Sequence, residues 1–266
     1  MTTAFIFPGQ GSQSIGMMNS LAESNPVIPD TFSEASTILG YDLWALVSDG
    51  PAEKLNSTEI TQPAMLTAGV ATWRAWQAAG GINPLMMAGH SLGEYTALVC
   101  AGALNFSDAV SLVADRASFM QSAVPAGEGA IAAILGLDDD SVRTLCQDNA
   151  AGEVLEAVNY NAPGQVVVAG SVAAVGRLAE NAKAAGAKRA LILPVSVPSH
   201  CALMKSASEQ MAERLKEVTI SPCDIAVIHN VNVQTAADEN EIRDLLARQI
   251  SEPVRWVETV NSMAQQ

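Results

Sequence analysis

Apolar residues along the chain form short runs separated by longer helical repeats, and this pattern predicts an α/β protein. Runs at 3–8, 85–88 and 225–229 are too short for helices and predict buried strands. Helical periodicity extends over 62–79, with Pro63 near the first turn, and over 92–103. Further helices are predicted at 109–121 with Ser107 and Asp108 as a capping pair, and at 202–216, 241–250 and 253–264.

The pattern changes between residues 126 and 196, where strand-like alternation dominates. Strands are predicted at 130–137, 153–159, 165–169 and 189–195, helices at 138–149 and 172–185, and a turn at 161–164. This βαββαβ order is the ferredoxin-like arrangement. We therefore expect a small ferredoxin-like domain at 126–196, inserted into a large α/β domain made of 1–125 and 197–266.

Composition restricts the class of protein further. Hydrophobic residues make up 49% of the 266 residues and charged residues 16%, which suits a folded globular chain. The four cysteines lack C-x-x-C spacing and zinc-ligand histidines, so neither a disulfide framework nor a metal site is expected. No signal peptide or membrane span is evident, which predicts a cytoplasmic protein. A net charge of −14 argues against nucleic-acid binding, and an acidic partner would need a local basic patch.

The pentapeptide Gly89-His90-Ser91-Leu92-Gly93 lies between a predicted strand and a predicted helix. This is the pattern of a nucleophile elbow, and it predicts an α/β-hydrolase-like domain with a parallel sheet. Glycines flank the serine because a sharp turn leaves no room for Cβ atoms. The helix would aim backbone N–H groups, Leu92 first, at a developing oxyanion. The alternative is a serine that only caps the helix.

A serine nucleophile needs a base, and the chain has only three histidines. His90 is adjacent to Ser91, and neighbours around such a turn tend to point apart. His229 lies in a predicted strand, where a satisfied core histidine is the usual finding. His200 follows a strand end in a loop-like setting and is favoured as the base. No carboxylate is obviously placed to orient it.

Arg116 lies on the helix face that should be buried, because residues three and four positions away on both sides are apolar. A buried guanidinium needs an anion. An internal salt bridge or a side chain that extends to water would be ordinary. The alternative is that the substrate supplies a carboxylate, which a guanidinium binds in bidentate fashion.

The glycine-rich loop at 7–13 lacks the third glycine of a dinucleotide fingerprint, because Ser14 occupies that position. Nucleotide binding is therefore rejected, and no cofactor is expected. The loop is either an ordinary turn or the donor of a second N–H to an oxyanion hole at the carboxyl end of a strand.

Several motifs in order carry a family resemblance: FPGQGSQ at 7–13, ITQPA at 60–64, GHSLGE at 89–94, Arg116, and VPSHCALM at 197–204. With them the chain closely resembles the bacterial malonyl-CoA:acyl-carrier-protein transacylases of type II fatty acid synthesis. The resemblance implies a ping-pong transfer of malonyl from malonyl-CoA to the phosphopantetheine thiol of acyl carrier protein, by a monomer. Family members continue beyond the position of Gln266, so the resemblance also implies a C-terminally shortened chain.

The resemblance implies a role for each matched position. Ser91 would carry the malonyl ester, His200 would be the base and acid, and Arg116 would hold the malonyl carboxylate. The amides of Gln10 and Leu92 would form the oxyanion hole, and a carbonyl near Gln249 would orient the histidine. The remaining site residues implied are Gln62 and His90 beside the serine and Asn159 and Asn161 on the small-domain wall.

The carrier protein of this family is acidic, so docking on this acidic chain requires a basic patch. We expect it at Lys183, Lys188 and Arg189, with Lys205 as a further residue, although cations near a helix C-terminus are common without any docking role. Two other functions compete with transfer. One is a serine esterase or thioesterase with the same elbow, and the other is a carrier-protein-binding scaffold with an inactive site.

Overall fold

A computed structural model describes residues 3–195 and 197–266. The elements in the first part of the chain are β1 (Ala4–Phe7), α1 (Asn19–Ala22), α2 (Val27–Leu39), α3 (Leu43–Ser48), α4 (Ala52–Leu55), α5 (Thr58–Ala78), β2 (Met86–Gly89), α6 (Gly93–Cys100) and α7 (Phe106–Ser122). The elements that follow are β3 (Gly129–Leu135), α8 (Asp139–Ala150), β4 (Leu155–Ala162), β5 (Gln165–Ser171), α9 (Val172–Asn181), β6 (Arg189–Ile192), α10 (Lys205–Leu215), β7 (Ala226–Ile228), α11 (Glu239–Arg248) and α12 (Trp256–Ala264).

The chain divides into two compact units. The first comprises Met1–Ser118, Arg214–His229 and Gln234–Ile242, and the second comprises Phe119–Glu213, Asn230–Val233 and Arg243–Gln266. The second unit contains the region predicted as the small domain together with further segments, so this division does not coincide with the predicted boundaries. The predicted boundary residue Ser196 lies outside the described residues.

The first unit is built on a parallel sheet with strand order β1-β2-β7. The central strand β2 is buried at every position, as expected for a parallel strand covered on both faces. Helix α6 packs against β1, β2 and α5, while α5 packs against α2. At the sheet edge, Phe5 meets Trp73 and Trp76 edge to face, with ring centroids 5.5 and 5.4 Å apart.

The second unit contains an antiparallel sheet with strand order β4-β5-β3-β6, and its elements follow one another as βαββαβ. Side chains alternate across this sheet. Ala132 and Ile134 join the core formed with α8 and α9, whereas Ile131 faces the opposite way and packs with Val158 and Cys201.

Most predicted elements are present, but their ends differ from the prediction. Helix α5 begins four residues earlier than expected, so Pro63 lies inside it. Helix α7 begins at Phe106, because the side chain of Asn105 accepts a hydrogen bond from the Ser107 amide at 2.9 Å and caps the helix. The predicted capping pair at 107 and 108 is therefore wrong.

Three further predictions need correction. The predicted turn at 161–164 is shorter, since β4 runs to Ala162 and leaves Asn161 on the strand. His229 follows β7 instead of lying within it. The helix predicted at 202–216 begins as a 3₁₀ turn, Ala202–Met204, before α10. Helices α1 to α4 were not predicted.

Candidate active site

The turn between β2 and α6 has the backbone geometry of a nucleophile elbow. Ser91 adopts a left-handed conformation with φ of 50°, which is rare for a residue with a side chain. A Cβ on Gly89 would lie 1.8 Å from the carbonyl carbon of Gly93, and a Cβ on Gly93 would lie 2.2 Å from the Phe7 oxygen. Both positions therefore require glycine, because backbone meets backbone there. The sequence prediction of a sharp elbow is confirmed.

Arg116 meets Ser91 directly. Its Nη2 donates to Ser91 Oγ at 3.1 Å and its Nη1 donates to Gln62 Oε1 at 2.6 Å, and both of these acceptors are neutral oxygens. The arginine is only 1% exposed, and its guanidinium lies 5.4 Å from the centre of the Tyr95 ring. Burial lowers the pKa of Arg116, whereas Tyr95 and Glu94 act in the opposite direction. A buried cation thus stands beside the serine oxygen.

The loop after β1 packs on the elbow. A Cβ on Gly9 would lie 2.5 Å from the His90 oxygen, and the His90 amide donates to the Phe7 carbonyl at 2.9 Å. Gln10 follows Gly9, and its Nε2 donates to Thr58 Oγ1 at 3.2 Å, which ties the loop to the start of α5. Leu92 is the N-cap of α6, where backbone N–H groups point away from the helix. The main chains of Gln10 and Leu92 therefore belong to two segments in mutual contact.

His200 is held by two successive backbone carbonyls within the second unit. Its amide donates to Ile250 at 2.9 Å, and its ring Nδ1 lies 2.6 Å from the Gln249 oxygen. A carbonyl only accepts, so Nδ1 carries the hydrogen and Nε2 of the neutral ring keeps a lone pair for a proton. Both carbonyls directly follow α11, so the end of this helix positions the ring. The carbonyl contact implied by the family resemblance is present.

The other two histidines have different surroundings. His229 is 1% exposed, and its Nδ1 lies 2.8 Å from Oε1 of Glu94, a carboxylate that is also fully buried. His229 is thus a core histidine with a fixed partner, as its sequence context suggested. His90 is half-buried and packs over Gly9.

The structure groups the predicted residues into two sets. Ser91, Arg116 and Gln62 contact one another in the first unit, and His200 contacts Gln249 in the second. Asn159 and Asn161 are half-buried on β4. Sequence reasoning gave no role to Tyr95 or Glu94, although both border Ser91 in the first turn of α6 and Glu94 ends the GHSLGE motif.

The exposed cations of the second unit differ from most of the other basic residues in their ion pairing. Six arginines form ion pairs with nearby acids: Arg74, Arg143, Arg177, Arg214, Arg248 and Arg255. The four predicted docking residues Lys183, Lys188, Arg189 and Lys205 are exposed and form no ion pair with any other described residue. Their charges are thus available to solvent.

Residues 3–195 and 197–266 contain neither a metal-binding cluster nor a membrane-spanning helix. No cluster of three or more histidine, cysteine or acidic side chains in these ranges could hold a metal ion. No helix in them combines the length and apolar character that a bilayer crossing requires.

Residues 4–266 match the family model described as an acyl transferase domain. The malonyl CoA-acyl carrier protein transacylase of Salmonella typhimurium is 57% identical over 263 residues, which cover 99% of this chain and 85% of that protein. This chain belongs to the malonyl CoA-acyl carrier protein transacylase family. The elbow at Ser91 and the adjacent Arg116 therefore lie in a member of an acyltransferase family.

Solved structures of the family agree with this fold. The acyl carrier protein S-malonyltransferase of Vibrio cholerae superposes with a TM-score of 0.96 at 56% identity, covering 99% of this chain and 86% of that one. A malonyl-transacylase solved in complex with a type II PKS acyl-carrier protein gives a TM-score of 0.99 at 52% identity, covering 100% and 86%. The α/β fold with a parallel sheet is thus shared with these transacylases.

Proposed function

We propose that this chain transfers malonyl from malonyl-CoA to the phosphopantetheine thiol of acyl carrier protein, through a malonyl ester on Ser91, and so supplies extender units for fatty acid synthesis. The observation that carries the proposal is the buried Arg116 guanidinium 3.1 Å from Ser91 Oγ. A cation at this distance from the nucleophile suits an acyl group that ends in a carboxylate. The names of the related transacylases point to the same substrates.

In the proposed mechanism His200 Nε2 takes the proton of Ser91, and Oγ attacks the thioester carbonyl. The N–H groups of Gln10 and Leu92 stabilise the oxyanion. The imidazolium then protonates the departing CoA thiolate, and the ester breaks down by the reverse sequence with the carrier thiol as nucleophile. Each half-reaction exchanges an ester and a thioester, so the overall transfer between two thioesters is reversible.

Arg116 would supply the acyl selectivity. With malonyl bound, the guanidinium exchanges its neutral oxygen partners for the substrate carboxylate in a bidentate pair. With acetyl bound, the substrate offers the buried charge no carboxylate, which is costly in a desolvated site. Gln62 holds one nitrogen of the guanidinium, so we assign it to the same pocket, with His90 beside the serine and Asn159 and Asn161 contributing from β4.

We infer that the two sheets mark the two domains predicted from the sequence, although the compact units have other boundaries. The parallel sheet with its elbow supports an α/β-hydrolase-like domain of 1–125 and 197–266, and the antiparallel βαββαβ sheet supports a ferredoxin-like domain of 126–196. We further propose that the protein is a cytoplasmic monomer without a cofactor. Its carrier protein would dock on the four exposed cations.

Intact mass spectrometry after mixing with malonyl-CoA or acetyl-CoA tests the function. We expect a malonyl adduct on the wild type, none on Ser91→Ala, and slow adduct formation on His200→Ala. Truncating one partner of a buried charge pair costs roughly 2–5 kcal/mol, so Arg116→Ala should lose about 30- to 5,000-fold in malonyl transfer while acetyl transfer gains relative to it.

Arg74→Ala is the matched control. Arg74 also lies over an aromatic ring, 4.6 Å from the centre of Phe106, but it pairs with Glu34. Its variant should keep the malonyl preference. An unchanged preference in Arg116→Ala would refute the carboxylate clamp, and release of free malonate without transfer to carrier protein would favour the thioesterase instead.

A further inference from the structure

The mechanism above gives no role to the ring of Tyr95, which contacts Arg116 inside the first unit. The guanidinium carbon lies over this ring, 5.4 Å from its centre. Tyr95 is 0% exposed and Arg116 is 1% exposed, so solvent does not screen their interaction. A cation within about 6 Å of an aromatic centre is attracted by the negative face of the ring, and most strongly where water is excluded. The ring is therefore an energetically significant partner of the arginine.

Tyr95 belongs to the same helical turn as the nucleophile. Its amide donates to the Leu92 carbonyl at 3.0 Å, and the amide of the preceding residue donates to the Ser91 carbonyl, also at 3.0 Å. These two backbone bonds fix the ring relative to Ser91 at the start of α6. Arg116 belongs to another helix, α7, and its long side chain loses much rotamer freedom when it is held in one place. A ring on the elbow helix can therefore fix the cation relative to the nucleophile.

An aromatic ring differs from an acid as a permanent partner for a substrate-binding cation. Burial raises the pKa of Tyr95, so its side chain is a neutral phenol. The ring attracts the guanidinium without carrying a net charge, so it does not replace the carboxylate of an acyl group as the counter-ion. The contact also uses no oxygen acceptor, and it coexists with the bonds from Nη1 to Gln62 and from Nη2 to Ser91.

We propose that Tyr95 is a positioning residue that sets the acyl selectivity of the enzyme, because its ring fixes the Arg116 guanidinium beside Ser91. The ring holds the cation in the place where the acyl carboxylate binds, and Tyr95 touches no reacting atom in this scheme. The inference rests on the proposed function, because it assumes that the substrate carboxylate binds Arg116.

Two variants separate the ring from its hydroxyl in steady-state transfer of malonyl and acetyl to holo carrier protein. Tyr95→Phe keeps the ring, so the malonyl-to-acetyl ratio of kcat/KM should stay within about threefold of the wild type. Tyr95→Leu removes the ring, so this ratio should fall about 10- to 30-fold, as expected for the loss of a desolvated cation–π contact. The fall should come from a higher malonyl KM, since acetyl carries no carboxylate and should be transferred at nearly the wild-type rate.

Phe106→Leu is the matched control for loss of a buried ring beside an arginine. Phe106 is 5% exposed, and its ring centre lies 4.6 Å from the guanidinium of Arg74, which pairs with Glu34. This variant should lower Tm but leave the malonyl-to-acetyl ratio unchanged. Thermal melting of every variant accompanies the kinetics, so that lost stability is measured separately from lost selectivity.

A fluorinated series tests the electrons of the ring at nearly constant shape. Phenylalanine with one, two or three ring fluorines is introduced at position 95 by amber suppression and compared with Tyr95→Phe. Each fluorine withdraws electron density from the ring face and weakens its attraction for a cation. We expect the malonyl-to-acetyl ratio to fall stepwise along the series, by roughly tenfold in total, while Tm stays nearly constant. Ring packing alone would give no such trend.

The outcomes separate this inference from the proposed function. If Arg116→Ala removes the malonyl preference but the ratio is unchanged in Tyr95→Leu or constant across the fluorinated series, the positioning role is overturned and the carboxylate clamp stands. A loss in Tyr95→Phe as large as that in Tyr95→Leu would assign the effect to the hydroxyl and also overturn it.

The Arg116→Ala background provides the last comparison. The effect of Tyr95→Leu on the ratio should vanish there, because the two residues act through one contact. If Arg116→Ala itself keeps the malonyl preference, the proposed function fails. Should Tyr95→Leu not fold, the fluorinated series decides.

Discussion

Gly93→Ala tests whether the close approach of two backbones is what places the nucleophile. The new Cβ would lie 2.2 Å from the Phe7 oxygen and 2.9 Å from the Pro8 oxygen, both on the main chain. Carbon and carbonyl oxygen need about 3.3 Å, so α6 and the end of β1 must separate by about 1 Å. Such overpacking costs about 1–3 kcal/mol, which for a chain of this size lowers Tm by about 2–12 °C.

The same displacement should impair catalysis more than it impairs folding. Ser91 precedes Gly93 by two residues, so its 3.1 Å hydrogen bond to Arg116 would lengthen beyond bonding distance. A misplacement of 1 Å costs on the order of 100-fold in rate. We therefore expect folded protein whose kcat/KM for malonyl transfer, measured by release of free CoA, falls about 100-fold.

Gly176→Ala is the matched control, because Gly176 lies inside α9 and, outside its chain neighbours and the backbone of its own helix, no described atom comes within 4 Å of the position that its new methyl group would take. Alanine is the better helix former there, so this variant should gain up to about 1 kcal/mol and keep its activity. Wild-type melting and turnover in Gly93→Ala would refute the claim that backbone contact positions the serine.

Three further predictions follow from the structure. Lys188→Glu should slow association with carrier protein and weaken its dependence on salt in stopped-flow measurements; an unaltered salt dependence would place docking elsewhere. Burial raises the pKa of Cys201 to about 12, so at pH 8 only about one molecule in 10,000 carries the thiolate. Iodoacetamide should therefore leave Cys201 unmodified until the protein is denatured. In the folded protein, the rate of Cys201 alkylation should rise about tenfold per pH unit. Leu178→Ala, in the core beneath the antiparallel sheet, should cost about 2–5 kcal/mol in urea unfolding, whereas exposed Val172→Ala should change stability by less than about 0.5 kcal/mol.

The elbow and the buried arginine could be predicted because each leaves a local signal. Two glycines around Ser91 report a turn without space for side chains, and four apolar neighbours on one helix face place Arg116 in the interior. Local signals were also sufficient to predict the βαββαβ order, because strand alternation and helix caps such as Asp138 depend only on residues close together in the sequence. The function was predicted from several motifs whose order along the chain is specific to one family.

Long-range pairings left no such signal. Nothing near His229 in the sequence indicates a carboxylate 135 positions earlier, and the residues alone favoured His200 as the base without excluding His90 or His229. The missed helix α2 is different, because Ile28, Phe32 and Ala35 do recur at helical spacing and are buried. The others, α1, α3 and α4, span 4, 6 and 4 residues, too few for periodicity to distinguish a helix from a turn.

The Gln249 oxygen that accepts from the His200 ring belongs to the polypeptide itself. Such an acceptor does not titrate, so unlike the aspartate of a serine protease triad it keeps its role in acid. Replacing the side chain at 249 would disturb packing yet leave the oxygen in place, and an alanine scan would therefore miss the group that holds the imidazole. Only chemistry that alters the amide linkage, such as an ester bond introduced by semisynthesis, would expose it.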